Sequence, residues 1–373
     1  MRVLQLTAHF SPNIGGVETH LSDLVSSLDK RGWEVFVLTY CPLVVKAKWK
    51  MYERINNVSI FRIPWFSGLF YKLTPFPILE FIYLFPGLFL FTPFIILLNK
   101  PKVIHAHGLI AGAIAVFWGK IFKIRTIISS HSIYIFPKKG LYREFVKLIF
   151  HNSDHLLGLC RQAVSEIKNL RIPQEKVSSF TYWIDMEKFK KIPDAKVKLH
   201  WTDKFVILFV GRFVSIKGIK DLLESSILWH NKITLAIVGV GPMEKEIRKY
   251  ALKNKQILFL GAIDNSYLPF YYSASDALIA PSVFEEGFGR VIIEALACGL
   301  PVIGSNRGAI PEAMDNSVGK LIDVTPKNIA QTVNYFYEHP DELESLSKDA
   351  RNFAVQKYSE KNVEGIIRFY TKD

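Results

Sequence analysis

Cysteine is scarce in this chain. Cys41, Cys160 and Cys298 are the only three, and they lie far apart in sequence. No CxxC pair and no Cys/His metal spacing occurs, so a disulfide framework has no basis and a reducing, cytosolic setting is expected. No secretory leader is expected either, because the opening MRVLQLTAHF already reads as a strand. There is no internal repeat and no low-complexity tract. No GxGxxG follows the first strand, which leaves a dinucleotide site without its fingerprint. Acidic residues are thin in the first half. Residues 1–190 hold 24 Lys and Arg against 12 Asp and Glu, a net +12, whereas residues 191–373 hold 23 against 22. Such asymmetry calls for an anionic partner of the first half: acidic lipid, nucleic acid or a phosphorylated substrate. A solvated basic surface is the plainer explanation.

Charge is missing altogether from Phe81 to Leu98, FIYLFPGLFLFTPFIILL, the centre of an apolar segment at 69–98. By length this run is a transmembrane candidate. Pro86 and Pro93 argue against one straight helix, since each removes a backbone donor. Pro75 and Pro77 precede the run. Val103 to Gly108 follows at once and reads as a strand and loop of the same domain, so a true span would divide one sheet across a bilayer. A hairpin or helix pair dipping into the membrane interface, or a greasy acceptor groove, fits better. A buried core helix and a true span stay open. Further on, Lys139, Arg143 and Lys147 are four residues apart and would form one basic row on a helix. Such a row suits an anionic membrane surface or an ordinary solvated face.

What is present in quantity is β/α alternation. With 373 residues and 49% hydrophobic content, the chain is long enough for two α/β domains. The first opens as strand (Val3–Thr7), glycine loop (Gly15, Gly16), helix and strand. The second opens on Phe205–Val210. Its most informative stretch is PSVFEEGFGRVIIEALACGLPVIGSNRGAIPE, residues 281–312. Glycines ahead of a helix let a ligand approach the backbone, and free N–H groups at the helix start attract phosphate. Glu286 and Glu294 stand at the two ends. Eight residues of helix would separate them by roughly 12 Å at 1.5 Å rise. That is long for a glycosidase pair, which needs roughly 5–9.5 Å. It suits one ligand with hydroxyls at both ends and phosphates between. An ordinary βαβ turn with two surface glutamates would show the same residues.

Glu286-x7-Glu294, set in EGFG…EALACGLPVI…IPE, resembles the EX7E stretch of retaining glycosyltransferases of family GT4. The opening HFSPNIGGVETH, the VIHAHG strand and the GR…KG pair are similar to the same family. The resemblance implies a GT-B fold: two Rossmann-like α/β domains facing across a cleft. The expected boundaries are 1–190 for the acceptor side, with the membrane-interfacial segment 69–98, and 191–355 for the nucleotide sugar. Residues 356–373 are expected to form a last helix returning to the first domain. The resemblance further implies that Glu286, Phe288, Gly289 and Arg290 hold the donor sugar and that Glu294 holds the ribose. The base lies by Ile263, while Arg212 and Lys217 neutralise the leaving diphosphate. Gly15, Gly16 and His107 line the cleft. Two alternating histidines, His105 and His107, could instead suggest a metal, but no third ligand is near, and GT-B enzymes generally need none. The sequence departs from the family at Tyr182-Trp183-Ile184-Asp185, which lacks the usual Asn-Gly before the Asp, and at Val240, where an acidic residue is common.

The expected protein is thus a retaining hexosyltransferase using a nucleoside-diphosphate sugar as donor substrate, with no cofactor and no metal. Expected partners are a lipid-linked or phospholipid acceptor and a membrane surface, not nucleic acid. Its expected place is the cytoplasmic face of the cell membrane. A sugar-nucleotide epimerase of similar fold would bind the same donor but has no use for the greasy segment. The sequence is also compatible with a transferase acting on a soluble acceptor and with a membrane-associated binding protein.

Overall fold

The computed structural model describes residues 1–371 except Ile14, Lys46 and Pro75, and leaves out the side chain of Tyr71. Pro75, which precedes the apolar run, therefore lies outside the described residues. The chain forms two compact units: Met1–Trp183 with Glu360–Asp373, and Ile184–Ser359.

In the first unit the strands are β1 (Arg2–Thr7), β2 (Glu34–Tyr40), β3 (Tyr52–Ile55), β4 (Val58–Ile63), β5 (Val103–His107), β6 (Arg125–Ser130), β7 (His155–Gly158) and β8 (Val177–Ser179). They lie in the order β3-β4-β2-β1-β5-β6-β7-β8. Every pairing is parallel except the edge hairpin β3–β4. The helices are α1 (Gly16–Lys30), α2 (Phe70–Leu73), α3 (Pro77–Asn99), α4 (Leu109–Phe122), α5 (Leu141–Asn152) and α6 (Arg161–Lys168). Strands β1, β5 and β6 are buried almost throughout, as the near-continuous apolar runs of a sheet covered on both faces require. Sheet order reverses between β1 and β5, so the loops after those strands, Ala8–Gly15 and Gly108, flank the crevice where such sheets take ligands. The last residues belong to this unit. Glu360 accepts from Ser27 Oγ at 2.8 Å, Arg31 donates to Glu364 at 2.9 Å, and the Tyr370 hydroxyl meets His105 Nδ1 at 2.6 Å.

The apolar run is one continuous helix, not the hairpin or helix pair expected from its prolines. Neighbouring side chains satisfy backbone groups where the helical ladder is interrupted. The Tyr40 hydroxyl inserts between two turns, donating to Leu84 O at 2.6 Å and accepting from Leu88 N–H at 3.0 Å. Trp65 Nε1 donates to Tyr83 O at 2.9 Å. Pro93 has no N–H for Phe89 O, and Trp118 Nε1 takes that place at 3.0 Å. Gly87 makes room, since a Cβ there would lie 2.6 Å from the Tyr40 ring. By length and composition α3 could cross a bilayer. One face, with Leu84, Leu88, Ile95 and Ile96, is packed into the core, while Ile82, Leu90, Phe94 and Leu98 are exposed. The basic row is also altered. α5 starts at Leu141, after Gly140 at φ +117°, so Lys139 lies outside it. The Arg143 guanidinium is engaged by the carbonyls of Pro137 and Asn169.

The second unit has strands β9 (Phe205–Val210), β10 (Ile233–Val238), β11 (Ile257–Gly261), β12 (Ala277–Ala280), β13 (Val302–Ser305) and β14 (Gly319–Ile322). Their order is β11-β10-β9-β12-β13-β14, all parallel. This is the doubly wound order, with its switch point between β9 and β12.

Candidate active site

The switch point of the second unit brings together two loops that sequence separates by some 70 residues. Gly211-Arg212 follows β9, and Pro281–Gly289 follows β12. Gly218, at φ +68°, packs so closely that a Cβ would lie 1.9 Å from Pro281 O. Val283 N donates to Ile216 O at 3.0 Å. This docking sets Lys217 against Glu286, with Nζ 2.5 and 2.6 Å from the two carboxylate oxygens. Ser282 Oγ donates to Oε2 at 2.7 Å. From behind, Ala309 N donates to Glu286 O at 2.9 Å, and Gly308 (φ +56°) leaves no space for a Cβ beside the Glu286 backbone.

Burial alone would raise the pKa of Glu286. The charge and hydrogen bond of Lys217, the Ser282 hydroxyl and the charge of Arg212 outweigh it and hold the carboxyl below its usual range. Glu286 is therefore a fixed anion that accepts hydrogen bonds, not an acid. Arg212 is exposed, and its side chain makes no hydrogen bond or ion pair among the described residues. Its loop is rigid all the same: Phe213 N donates to Val240 O at 2.8 Å, and a Cβ on Gly239 would lie 1.9 Å from Gly211 O.

Gly289, at φ +73°, caps the helix Arg290–Ala297. Glu286 thus lies in a loop one turn before that helix, and the helical rise from Glu286 to Glu294 assumed above does not apply. Glu294 is 2% exposed. Its oxygens accept from Arg290 Nε at 3.0 Å and the Tyr272 hydroxyl at 2.9 Å. Burial raises its pKa despite the opposing pull of Arg290 and Tyr272. Phe288 is buried edge-on against Tyr358, so only its backbone faces the loop. Ile263, after β11, is half-buried.

In the first unit, Gly15 caps α1 and Gly16 is its first residue. The Glu18 carboxylate folds over Gly15 and leaves no space for a Cβ there. His107, at the end of β5, belongs to a buried chain of hydrogen bonds. Its Nε2 meets Gln5 Oε1 at 2.7 Å and its Nδ1 meets His131 Nε2 at 2.9 Å. His131 Nδ1 meets the Tyr182 hydroxyl at 3.0 Å. Burial lowers the pKa of His107 and His105 well below the usual value, helped by neighbouring imidazoles, and takes His131 to about 3. All three are neutral. With Gln5 accepting, His107 carries its proton on Nε2, and Nδ1 accepts from His131. Both ring nitrogens of His107 are therefore engaged. His20 stacks on Tyr182, with ring centroids 4.3 Å apart.

Sequence reasoning missed Ser282, Tyr272, Gln5 and Gly308. Ser282 lies four residues before Glu286 and carried a local signal, whereas the others act across the fold. Among the described residues no three His, Cys, Asp or Glu side chains form a metal-binding group.

Two family models match the chain: Glycosyltransferase Family 4 over residues 14–188 and Glycosyl transferases group 1 over residues 191–353. The chain is 24% identical to the phosphatidylinositol N-acetylglucosaminyltransferase gpi3 subunit of Schizosaccharomyces pombe, over 92% of this chain and 75% of that one. Its fold matches sucrose-phosphate synthase from Thermosynechococcus elongatus, with TM-score 0.82, 21% identity and coverage of 99% and 98% of the two chains. Anabaena HepE in complex with UDP-glucose matches with TM-score 0.77, 17% identity and coverage of 99% and 98%. Two doubly wound units and two models that together span nearly the whole sequence lead to one conclusion: the chain is a glycosyltransferase of the GT-B fold, related to the family 4 and group 1 glycosyltransferases.

Proposed function

We propose that the protein is a retaining glycosyltransferase that moves a hexose-type sugar from a nucleoside-diphosphate donor to a lipid-linked acceptor at the cytoplasmic face of a membrane. The observation that carries the donor half is the switch-point cluster, in which an uncommitted Arg212 stands in the loop next to the Lys217–Glu286 pair. A guanidinium binds two diphosphate oxygens at once. Lys217 gives two of its three N–H groups to Glu286 and keeps one for phosphate. The amides at the start of the Arg290–Ala297 helix add to this field. HepE, of similar fold, binds UDP-glucose.

In this mechanism the bond between the anomeric carbon and the diphosphate oxygen breaks as the acceptor oxygen bonds to that carbon on the same face. The acceptor's proton passes to the departing phosphate oxygen. Arg212 and Lys217 stabilise the charge that develops there. Glu286, ionised and fixed, accepts hydrogen bonds from the sugar hydroxyls. Glu294 has lone pairs left for a ribose hydroxyl with Arg290 and Tyr272 still in place. Gly15, Gly16 and His107 stand on the acceptor side, and Ile263 lies against the base.

The acceptor half is supported by the exposed apolar face of α3, by the +12 charge of residues 1–190, and by the gpi3 relative, whose name specifies a phosphatidylinositol acceptor. The test is a panel of nucleotide sugars, each labelled in the sugar, incubated with the protein and a membrane lipid extract. One donor is expected to release nucleoside diphosphate and to carry its label into the organic phase. No release from any donor overturns the donor half. Release with the label left in water overturns the lipid acceptor.

A further inference from the structure

A groove of about 570 Å³ lies in the first unit between α3, α4 and α5. That is within the range of roughly 300–1,000 Å³ typical of small-molecule sites. Its walls are apolar: Phe81 and Phe85 on α3, Phe117 and Ile121 on α4, Phe145 and Leu148 on α5. The α3 rings stack in series, Phe81 on Phe85 at 4.8 Å and Phe85 on Phe89 at 5.0 Å, and Phe145 meets Phe81 edge-on at 5.6 Å. Phe117 is 47% exposed and Leu148 62%. The polar lining residues are Lys120 and Asn152, hydrogen-bonded to each other at the far ends of α4 and α5.

The direction of the groove follows from topology. α3 runs into β5, so its N-terminus lies at the end of the sheet where β5 and β6 finish. α4 and α5 both start there and run back. Phe81 is therefore at the His107 end, and Lys120 with Asn152 closes the other. At the open end Tyr134 reaches to within 3.8 Å of the Cβ position on Gly108, and the Tyr134 loop continues through exposed Lys138 and Lys139 into α5. Glu80 stands near Tyr134 and Tyr142. Burial raises its pKa.

We infer that this groove holds one hydrocarbon chain of a phosphate-bearing membrane lipid, the acceptor, with its head emerging at the end of the sheet that bears His107. Charge selects this occupant. Of the nine Lys and Arg from Lys100 to Asn152, Lys138, Lys139, Arg143 and Lys147 lie on the side of the open end, against Glu80 and Glu144, while the other five lie toward the closed end. An apolar trough in so basic a surface matches an apolar tail under an anionic head. The assignment rests on the lipid-acceptor function proposed above.

The test uses the full chain with phosphatidylcholine/phosphatidylglycerol vesicles containing a trace of phosphatidic acid with a diazirine in its acyl chain. Irradiation and peptide mapping locate the chain. Labels are expected on Phe85, Phe117, Phe145 and Leu148. Ala113→Trp, which fills the trough, is expected to cut them at least fivefold while labelling of Ile82, Leu90 and Phe94 on the outer face of α3 persists. Should Ala113→Trp not fold, Phe117→Ser on the exposed rim is expected to lower the groove labels likewise. Labels confined to the outer face, unchanged in these variants, overturn the groove. If sugar label still enters the organic phase in that case, the lipid acceptor stands and only its seat is wrong. No labelling anywhere, with sugar label left in water, overturns both.

Discussion

Lys217→Met takes a cation away from Glu286 while keeping most of the side chain's bulk. In the intact protein the ammonium lies 2.5 Å from the carboxylate, and the two side chains are 22% and 19% exposed. Losing one partner of a buried pair costs about 3–5 kcal/mol. With Ser282 still donating to Oε2, the lower figure applies. For a unit of this size, about 3 kcal/mol corresponds to roughly 6–12 °C in melting temperature. The pH dependence has a definite sign. The intact protein holds the Glu286 pKa below 4.5, so its contribution is present above that value and is lost as pH falls through the lower folded value. In Lys217→Met burial dominates and raises the folded pKa above 4.5. The variant's deficit is then absent only below the lowered wild-type value, grows as pH rises through 4.5 and levels off above the variant's raised value. Thermal and urea unfolding of wild type, Lys217→Met, Glu286→Gln and the double variant, at pH 7.5 and 5.0, give the coupling energy directly. The expected coupling is at least 2 kcal/mol at pH 7.5 by the same reckoning and smaller at pH 5.0. A coupling under about 0.5 kcal/mol at pH 7.5, the level of an exposed pair, would refute the reasoning.

Arg212→Ala is expected to lower turnover a hundredfold or more, about 3 kcal/mol, with an unchanged melting curve, because the side chain is exposed; near-normal turnover would remove Arg212 from the diphosphate clamp. Tyr40→Phe deletes the hydroxyl that bridges Leu84 and Leu88 and should cost roughly 1–3 kcal/mol, with faster amide exchange around residue 88; unchanged exchange there would show that α3 closes its own turn. Buried, neutral His105, His107 and His131 have folded pKa values below the unfolded 6.5, so the unfolded chain binds more protons in acid. Stability of the first unit should therefore be intact above pH 6.5 and fall by about 1.4 kcal/mol per pH unit for each histidine below it. Denaturant midpoints at pH 7.5, 6.5 and 5.5 measure this, and a flat response would contradict neutral burial.

The element alternation, the apolar β1, β5, β9 and β10 strands and the glycine turns were legible in sequence because they are local. Period-2 and period-3.6 patterns and positive-φ glycines depend on near neighbours alone. Gly289, Arg212, Lys217 and Glu286 could be picked out as residue types suited to a phosphate and a sugar. What the sequence alone could not decide is pairing at a distance. Lys217 meets Glu286 69 residues away because β9 and β12 are neighbours at the point where strand order reverses. Tyr272 closes on Glu294 for the same kind of reason, so the carboxylate proposed for the ribose is held in place by a buried hydroxyl and a guanidinium. Two prolines locally argue against an unbroken helix from Pro77 to Asn99; Tyr40, 44 residues from Leu84, bridges the turn opened between Leu84 and Leu88, and Trp118, 29 residues from Phe89, takes the carbonyl that Pro93 leaves without a donor. Sequence determined which chemistry was on hand. Tertiary structure decided which groups are already engaged and which, like Arg212, stay open, because burial and hydrogen-bond partners are set by strands and helices remote in the chain.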